Sequence, residues 1–287
     1  MKLSNLDTHK WNLTSQFGED GVLTFILAQL PDSDKTCVEF GAWDGKLFSN
    51  TFHLIKNHGY GGVLIEADKS KHQELAATYK DNPLVTPICE FVGWSSNTLD
   101  EILSKTELPK NFDFLSIDID GNDYHVWEAC QRYTPKVVCI EYNPTIPTGV
   151  PFVQRKDPMI RQGASISSTV QLATEKGYTL VAVTRNNAIF VLNCYASHFP
   201  LDSHTPEALR TDTEWVTHLF FGVNGEVIVS GNLTTPWHGV DVRGIVRQLP
   251  GFLRGFPPEM PLWKRKLLGA YKKLCLSPRG YPNFSAQ

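Results

Sequence analysis

The sequence predicts an α/β fold: an open, mainly parallel seven-stranded sheet with helices on both faces, its last strand antiparallel, followed by a C-terminal extension. Three observations carry that expectation. From about residue 37 to 193, short apolar runs alternate with helical patterns, as in a parallel sheet whose two faces are both covered. The helical stretches open on capping residues and stop at glycines. The last two strand-like runs are separated only by Arg185-Asn186-Asn187, too few residues for a crossover, so they form a hairpin and the final strand runs antiparallel.

Taken in order, Ser15–Leu30 reads as a helix ahead of the sheet, with Gln16 and Asp20 four apart on one face. Strands are expected at Cys37–Gly41, Gly62–Glu66, Leu84–Ile88, Phe112–Asp118, Lys136–Glu141, Thr179–Thr184 and Ala188–Asn193. Ser49 is placed to cap a helix beginning at Asn50-Thr51. Ser70-x-x-Gln73, Thr98-x-x-Glu101 and Ser168-x-x-Gln171 each fit a capping box, in which two side chains satisfy the free N–H groups of a helix start. Gly59 and Gly177 read as helix stops. Residues 144–164 form a Pro-rich loop above the sheet. The expected division is a sheet domain over 1–194 and an accessory region over 195–287. In the latter, Phe220–Val223 and Glu226–Ser230 flank Asn224-Gly225, a pair suited to a type I′ hairpin. Pro261–Leu276 patterns as a basic amphipathic helix, able to lie on an anionic membrane or to pack on its own domain.

The chain has 287 residues, 41% hydrophobic and 20% charged, which excludes disordered, collagenous and coiled-coil classes. The net charge of −3 gives no field that recruits nucleic acid. It is unevenly spread: from Arg243 onward nine Lys/Arg face the single acid Glu259, a net +8, leaving −11 for residues 1–242. No run approaches 18 apolar residues, and the polar start MKLSNLDTHKWN lacks a signal-peptide core. The six cysteines contain no C-x-x-C pair and several lie in apolar runs, the pattern of a reduced, cytoplasmic protein. The three Asn-x-Ser/Thr triplets then carry no sugar. Nothing in the sequence speaks to oligomeric state.

In open α/β sheets ligands bind at the carboxyl ends of the strands. The first strand ends Glu39-Phe40-Gly41-Ala42-Trp43-Asp44-Gly45, a turn whose glycines let the backbone approach a ligand closely. The second ends Glu66-Ala67-Asp68, with Glu66 21 residues after Gly45, where an acid accepts the ribose hydroxyls of a nucleoside cofactor. The third glycine of G-x-G-x-x-G is missing, which weakens a dinucleotide reading, and Glu39 suits a cationic cofactor. The fourth strand ends in Asp118-Ile119-Asp120-Gly121-Asn122-Asp123-Tyr124-His125 and the fifth in Glu141-Tyr142-Asn143. Asp118 and Asp120 share a face if the extended conformation persists. Converging carboxylates need a proton, a metal or a cationic ligand, although Asp123 could simply cap the following helix. Asp120 is the first candidate base, His125 the second, and an oxygen set of Asp120, Glu141 and Asn143 suits Mg²⁺ or Mn²⁺.

At these residues the chain resembles the FkbM-type branch of class I S-adenosylmethionine-dependent methyltransferases. The likeness runs through Ser15–Gly21, Glu39–Gly45, Leu64–Asp68, Phe114–Asp123, Val138–Glu141, Gly163–Ser165 and Lys176–Val181. It implies the Rossmann-like seven-stranded methyltransferase sheet and methyl transfer, commonly to a hydroxyl of a sugar, glycan or natural product. It further implies that the Glu39–Gly45 loop, with Glu39, Gly41, Ala42 and Gly45, holds the methionine end of the cofactor, and Asn50, Thr51 and Asp118 are further cofactor-binding candidates. Glu66 would bind the ribose, Ala67 and Asp68 would flank it, and Phe91–Ser95, including Trp94, would border the adenine. Gln16 would close over the cofactor or only solvate its helix. Asp120–Tyr124 is also similar to the acidic segment of macrolide-sugar O-methyltransferases, whose leading Asp serves a divalent metal; those enzymes carry paired aspartates where this chain has Glu141-Tyr142-Asn143. A nicotinamide-dependent oxidoreductase and a non-catalytic nucleoside-cofactor-binding protein are the rival readings.

Overall fold

The computed structural model describes residues 4–244, 246 and 248–275. Seven strands, β1 (Thr36–Phe40), β2 (Gly61–Ile65), β3 (Val85–Ile88), β4 (Phe114–Ile117), β5 (Val137–Glu141), β6 (Tyr178–Val183) and β7 (Asn187–Leu192), form one sheet in the order β3-β2-β1-β4-β5-β7-β6. β1 to β5 pair in parallel, and β7 runs antiparallel between β5 and β6. This is the Rossmann-like methyltransferase sheet that the sequence predicts, each strand within two residues of its expected bounds.

Helices α1 (Glu19–Ala28), α2 (Phe52–His58), α3 (Lys69–Thr78), α4 (Leu99–Leu103), α5 (Asp123–Ala129) and α6 (Ile166–Glu175) fill the connections. The strand order runs outward from β1 to β3 and then restarts at β4 on the other side of β1. Right-handed crossovers therefore place the helices of the two halves on opposite faces. The central strands are buried on both sides; Phe40, Phe114, Ile140 and Phe190 are fully enclosed. The reversal leaves a crevice between the carboxyl ends of β1 and β4, where this architecture binds ligands.

The helix starts correct the sequence reading in three places. α1 begins at Glu19 and not at Ser15, because Leu13, Thr14 and Ser15 turn their backbone N–H groups onto the Asp20 carboxylate instead of continuing a helix. α3 is capped by Asp68, which accepts from the N–H groups of Ser70 and Lys71. α6 is capped by Ser165, which accepts from Ser168 N–H. Ser70 and Ser168 thus lie inside their helices. The Thr98–Glu101 box is formed as expected, with both reciprocal hydrogen bonds present, and Gly59 and Gly177 end their helices with positive φ. Thr98→Ala should lower the unfolding free energy by about 1 kcal/mol, read as a small shift of the denaturation midpoint.

The chain divides into two compact units at 213/214 rather than at 194/195. Phe199, Leu201 and Leu209, the last in α7 (Pro206–Leu209), are buried in the first unit's core. Arg210 is buried too, and its guanidinium ties down the 144–148 chain through the carbonyls of Pro144 and Ile146 and the Thr148 hydroxyl. The second unit contains a hairpin of β8 (Thr217–Phe221) and β9 (Val227–Gly231), and α8 (Leu262–Cys275). The hairpin loop is Gly222–Glu226, closed by Gly222 N–H to the Glu226 carbonyl, so Asn224-Gly225 sits inside a five-residue loop and not in a two-residue type I′ turn. Arg247, Arg279 and the Asn283 triplet lie outside the described residues. None of the five described cysteines is in a disulfide. Among the described residues no helix is long and apolar enough to cross a membrane.

Candidate active site

Phe40 and Ile117 are register partners in β1 and β4, so Gly41 and Asp118 leave the sheet side by side at the crevice. A Cβ on Gly41, whose φ is +76°, would lie 1.7 Å from the Asp118 carbonyl oxygen; conformation and space both demand glycine there. The chain then turns through Ala42 to Gly45, whose N–H meets the Ala42 carbonyl. A Cβ on Gly45 would strike Leu75 and Tyr79 at 2.5 and 2.6 Å.

Glu66 leaves β2 and clasps this turn. Its Oε2 accepts from Trp43 N–H at 2.8 Å and its Oε1 from Asp68 N–H at 2.7 Å. A carboxylate oxygen can accept two hydrogen bonds, so each keeps capacity for a ligand hydroxyl. Ala67 is exposed beside it, while the Asp68 carboxylate is spent on capping α3.

Glu39 departs from expectation. Its carboxylate is buried and takes Ser49 Oγ and Thr51 Oγ1, each at 2.6 Å, and Asn50 N–H at 2.8 Å. Asn50 and Thr51 are themselves buried, and the Asn50 amide donates to Ser116 Oγ in the sheet. This trio braces the entry to α2 from behind the Gly41 turn. Burial still pushes the Glu39 carboxyl up, against the pull of those three hydrogen bonds.

The acidic cluster is built differently from the spacing argument. Asp123, at the start of α5, accepts from the N–H groups of Ile119 and Gly121, both at 2.8 Å. That ring bends the chain sharply, with φ +58° at Asp120 and +141° at Gly121, so the extended conformation stops at Asp118. Asp120 therefore swings into solvent, its side chain 71% exposed and 3.5 Å from Arg161. Asn143 is equally removed: its side-chain oxygen takes the N–H and hydroxyl of Thr145, and its amide nitrogen binds the Gln162 carbonyl. Asp120, Glu141 and Asn143 do not form the expected metal set. The carboxylates that converge are those of Asp118, Asp123 and Glu141, which offer oxygens within 4.8 Å of one another, a donor set suited to a hard cation.

His125 does not face this cluster as a free base. It is buried, its Nε2 donates to the Gln154 carbonyl at 2.6 Å, and its Nδ1 is enclosed without a hydrogen-bond partner. Gln154 is the residue that sequence reasoning missed. Its side chain accepts from Gln162 and Gly163 N–H and donates to Asn122 and the Ile160 carbonyl, bolting the Pro-rich loop to the acidic segment. A glutamine in an irregular loop has no local signature that could announce this. Trp94 is partly buried against the core with its ring 6.1 Å from that of His125.

The N-terminal segment closes the same end of the sheet. Gln16 precedes α1 instead of sharing a helix face with Asp20. Asp20 is buried, with one oxygen holding the 13–15 turn and the other, Oδ1, without a partner. Glu19 binds the Thr184 hydroxyl and the Asn187 amide, and Asn186 reaches Glu141 at 3.4 Å. Asn187 is the register partner of Glu141, so the hairpin turn Arg185-Asn186-Asn187 brings its amides to the acidic crevice. Only its polarity in the sequence hinted at that.

Burial and mutual repulsion govern this crevice. Asp118 is held well above the usual carboxylate range by burial and by the charges of Asp123, Asp120 and Glu39. Glu141 is raised likewise by burial and by Asp118, Asp123 and Asp120. Burial pushes Asp123 up to about 6 although two backbone N–H groups pull it down. Unfolded carboxyls ionise near about 4, so between roughly pH 4 and 6 the folded protein holds more protons than the unfolded chain and loses stability as pH rises. Asp118→Asn removes one repelling charge. The ligand-free variant should melt above wild type at about pH 7 and match it near pH 4, as read by thermal denaturation.

No protein-family model and no curated protein sequence matches the chain. Among solved structures it is similar to a SAM-dependent methyltransferase from Aquifex aeolicus, 13% identical over 61% of this chain and 88% of that one, with a TM-score of 0.37. It is similar to the CMeT domain of the citrinin polyketide synthase at 14% identity over 60% of this chain and half of that one, TM-score 0.41. The N-terminal domain of EvdMO1 with SAH bound is 11% identical over 62% of this chain and 80% of that one, TM-score 0.40.

Proposed function

We propose that the chain is an S-adenosylmethionine-dependent methyltransferase acting on a hydroxyl of a sugar, glycan or natural product. One juxtaposition carries the reading: at the β1/β4 switch, the glycine turn at Gly41, the Glu66 carboxylate that clasps it, and the crowded Asp118 carboxyl lie at adjacent strand ends. The donor chemistry fits the cofactor. Glu66 has acceptor capacity for two ribose hydroxyls, and Asp118, crowded by Asp123 and Glu141, suits a cationic amino-acid end.

When bound, S-adenosylmethionine supplies a methyl group activated on a sulfonium sulfur, so transfer to a hydroxyl is an in-line displacement. The chain's tasks are then alignment and proton removal. Gly41–Gly45 and Glu66 hold the donor in register, and Asp118 orients its charged end. Glu141 replaces Asp120 and His125 as the base: it is half-buried, oriented by Asn186, and held well above the usual carboxylate range by burial and by the neighbouring Asp118 and Asp123 charges, so that once ionised it is a stronger proton acceptor than an exposed carboxylate. The loop held by Gln154 and Arg210 bounds the acceptor side and limits water.

In the alternative arrangement, Mg²⁺ or Mn²⁺ would be held by Asp118, Asp123 and Glu141 and would lower the acceptor's pKa in place of a free Glu141 base; transfer unchanged by EDTA removes the metal from this reading. The test of function is a panel of hydroxylated glycans and natural products incubated with the full chain and methyl-labelled S-adenosylmethionine. Label in an ether-linked product supports O-methylation; cofactor binding with no label in any acceptor supports a non-catalytic binding protein instead.

A further inference from the structure

The second unit carries a surface that the proposed reaction does not use. Residues 214–287 contain nine Lys/Arg and four Asp/Glu, opposite in sign to the rest of the chain. Within it, α8 turns Lys264, Leu268 and Tyr271 inward as half-buried residues at i, i+4 and i+7. Lys264 donates to the Arg254 carbonyl and Arg265 to those of Met260 and Pro258, which fixes the helix's rotation in its own unit.

That rotation leaves the neighbouring strip uncovered. Trp263 and Leu267, in line with Ala270, are 61% and 46% exposed, and Leu262 beside them is 69% exposed. Lys266 and Lys273 border the strip and are exposed; among the described residues neither has a carboxylate partner. A tryptophan and a leucine on one line of a helix, bordered by lysines whose stems can reach past them, is an arrangement that seats at the interface of a bilayer. The hairpin adds Phe221, 74% exposed, in the same basic unit. The occupant must accept apolar side chains to shallow depth and carry negative charge.

We propose that the Trp263–Leu267 strip docks the protein on an anionic phospholipid surface, with Lys266 and Lys273 at the lipid phosphates. The proposal is independent of the methyltransferase reading. The test is co-sedimentation of the full chain with vesicles of phosphatidylcholine mixed with phosphatidylglycerol, against vesicles of phosphatidylcholine alone. Wild type should pellet with the mixed vesicles and bind the neutral ones at least about tenfold more weakly. Trp263→Ser with Leu267→Ser, and separately Lys266→Glu with Lys273→Glu, should each weaken binding to the mixed vesicles at least about tenfold. Because these side chains are exposed, denaturation midpoints should stay at the wild-type value. Absence of pelleting by wild type, equal binding to both vesicle types, or wild-type binding by both double variants would overturn the proposal.

Discussion

Gly41→Ala should destabilise the first unit by about 3 kcal/mol or more. An alanine at φ +76° is strained by roughly 1–2 kcal/mol on its own. The larger cost is spatial, since its Cβ would sit 1.7 Å from the Asp118 carbonyl oxygen, and van der Waals contact requires β1 and β4 to part at their carboxyl ends. That separation breaks the hydrogen bond from Asp118 N–H to the Phe40 carbonyl and opens the crevice. For a unit of this size 3 kcal/mol corresponds to a fall of about 6–12 °C in melting temperature. A melting temperature within a degree or so of wild type would show that the two strand ends are not packed as described.

Glu66→Ala should weaken S-adenosylhomocysteine binding by about 30-fold or more. The carboxylate offers charge-assisted acceptors to the ribose, each worth about 1.5–3 kcal/mol, and about 1.4 kcal/mol is tenfold in affinity. It also holds Trp43 N–H and Asp68 N–H, so its loss loosens both loops that frame the ligand. Calorimetric titration of the variant reads the effect directly. An unchanged dissociation constant would remove Glu66 from the site.

These two positions were legible in the sequence because their signals are local. A glycine at the end of a buried strand and an acid at the next strand's end need only the strands to be located, and near-continuous apolar runs locate them. The short gap before β7 likewise dictated its direction. What failed depended on contacts the chain makes with itself across distance. Asp120 was read as continuing the strand, but the Asp123 carboxylate gathers the N–H groups of Ile119 and Gly121 and reverses it. Glu39 was read as facing a ligand, but Ser49, Asn50 and Thr51 hold its carboxylate at the entry to α2. Ser70 and Ser168 satisfy a capping pattern, yet Asp68 and Ser165 reach the free N–H groups first. Gln154 and Arg210 clamp a loop from residues with no periodic or compositional mark, so only the folded chain reveals them.

The same contrast orders the chemistry. Three carboxylates that repel one another in this crevice cost stability at neutral pH, a cost that the cationic cofactor of the proposed reading would relieve. Asp118→Asn separates the two effects, since it should raise the ligand-free melting temperature while weakening the ligand.

The measurement that bears most directly on the cofactor is calorimetric titration of the full chain with S-adenosylhomocysteine and, in parallel, with NAD. Saturable heat at one site with the first and none with the second is the expected result. No heat with S-adenosylhomocysteine and clear heat with NAD would contradict the methyltransferase reading and make the glycine turn and Glu66 a nicotinamide site.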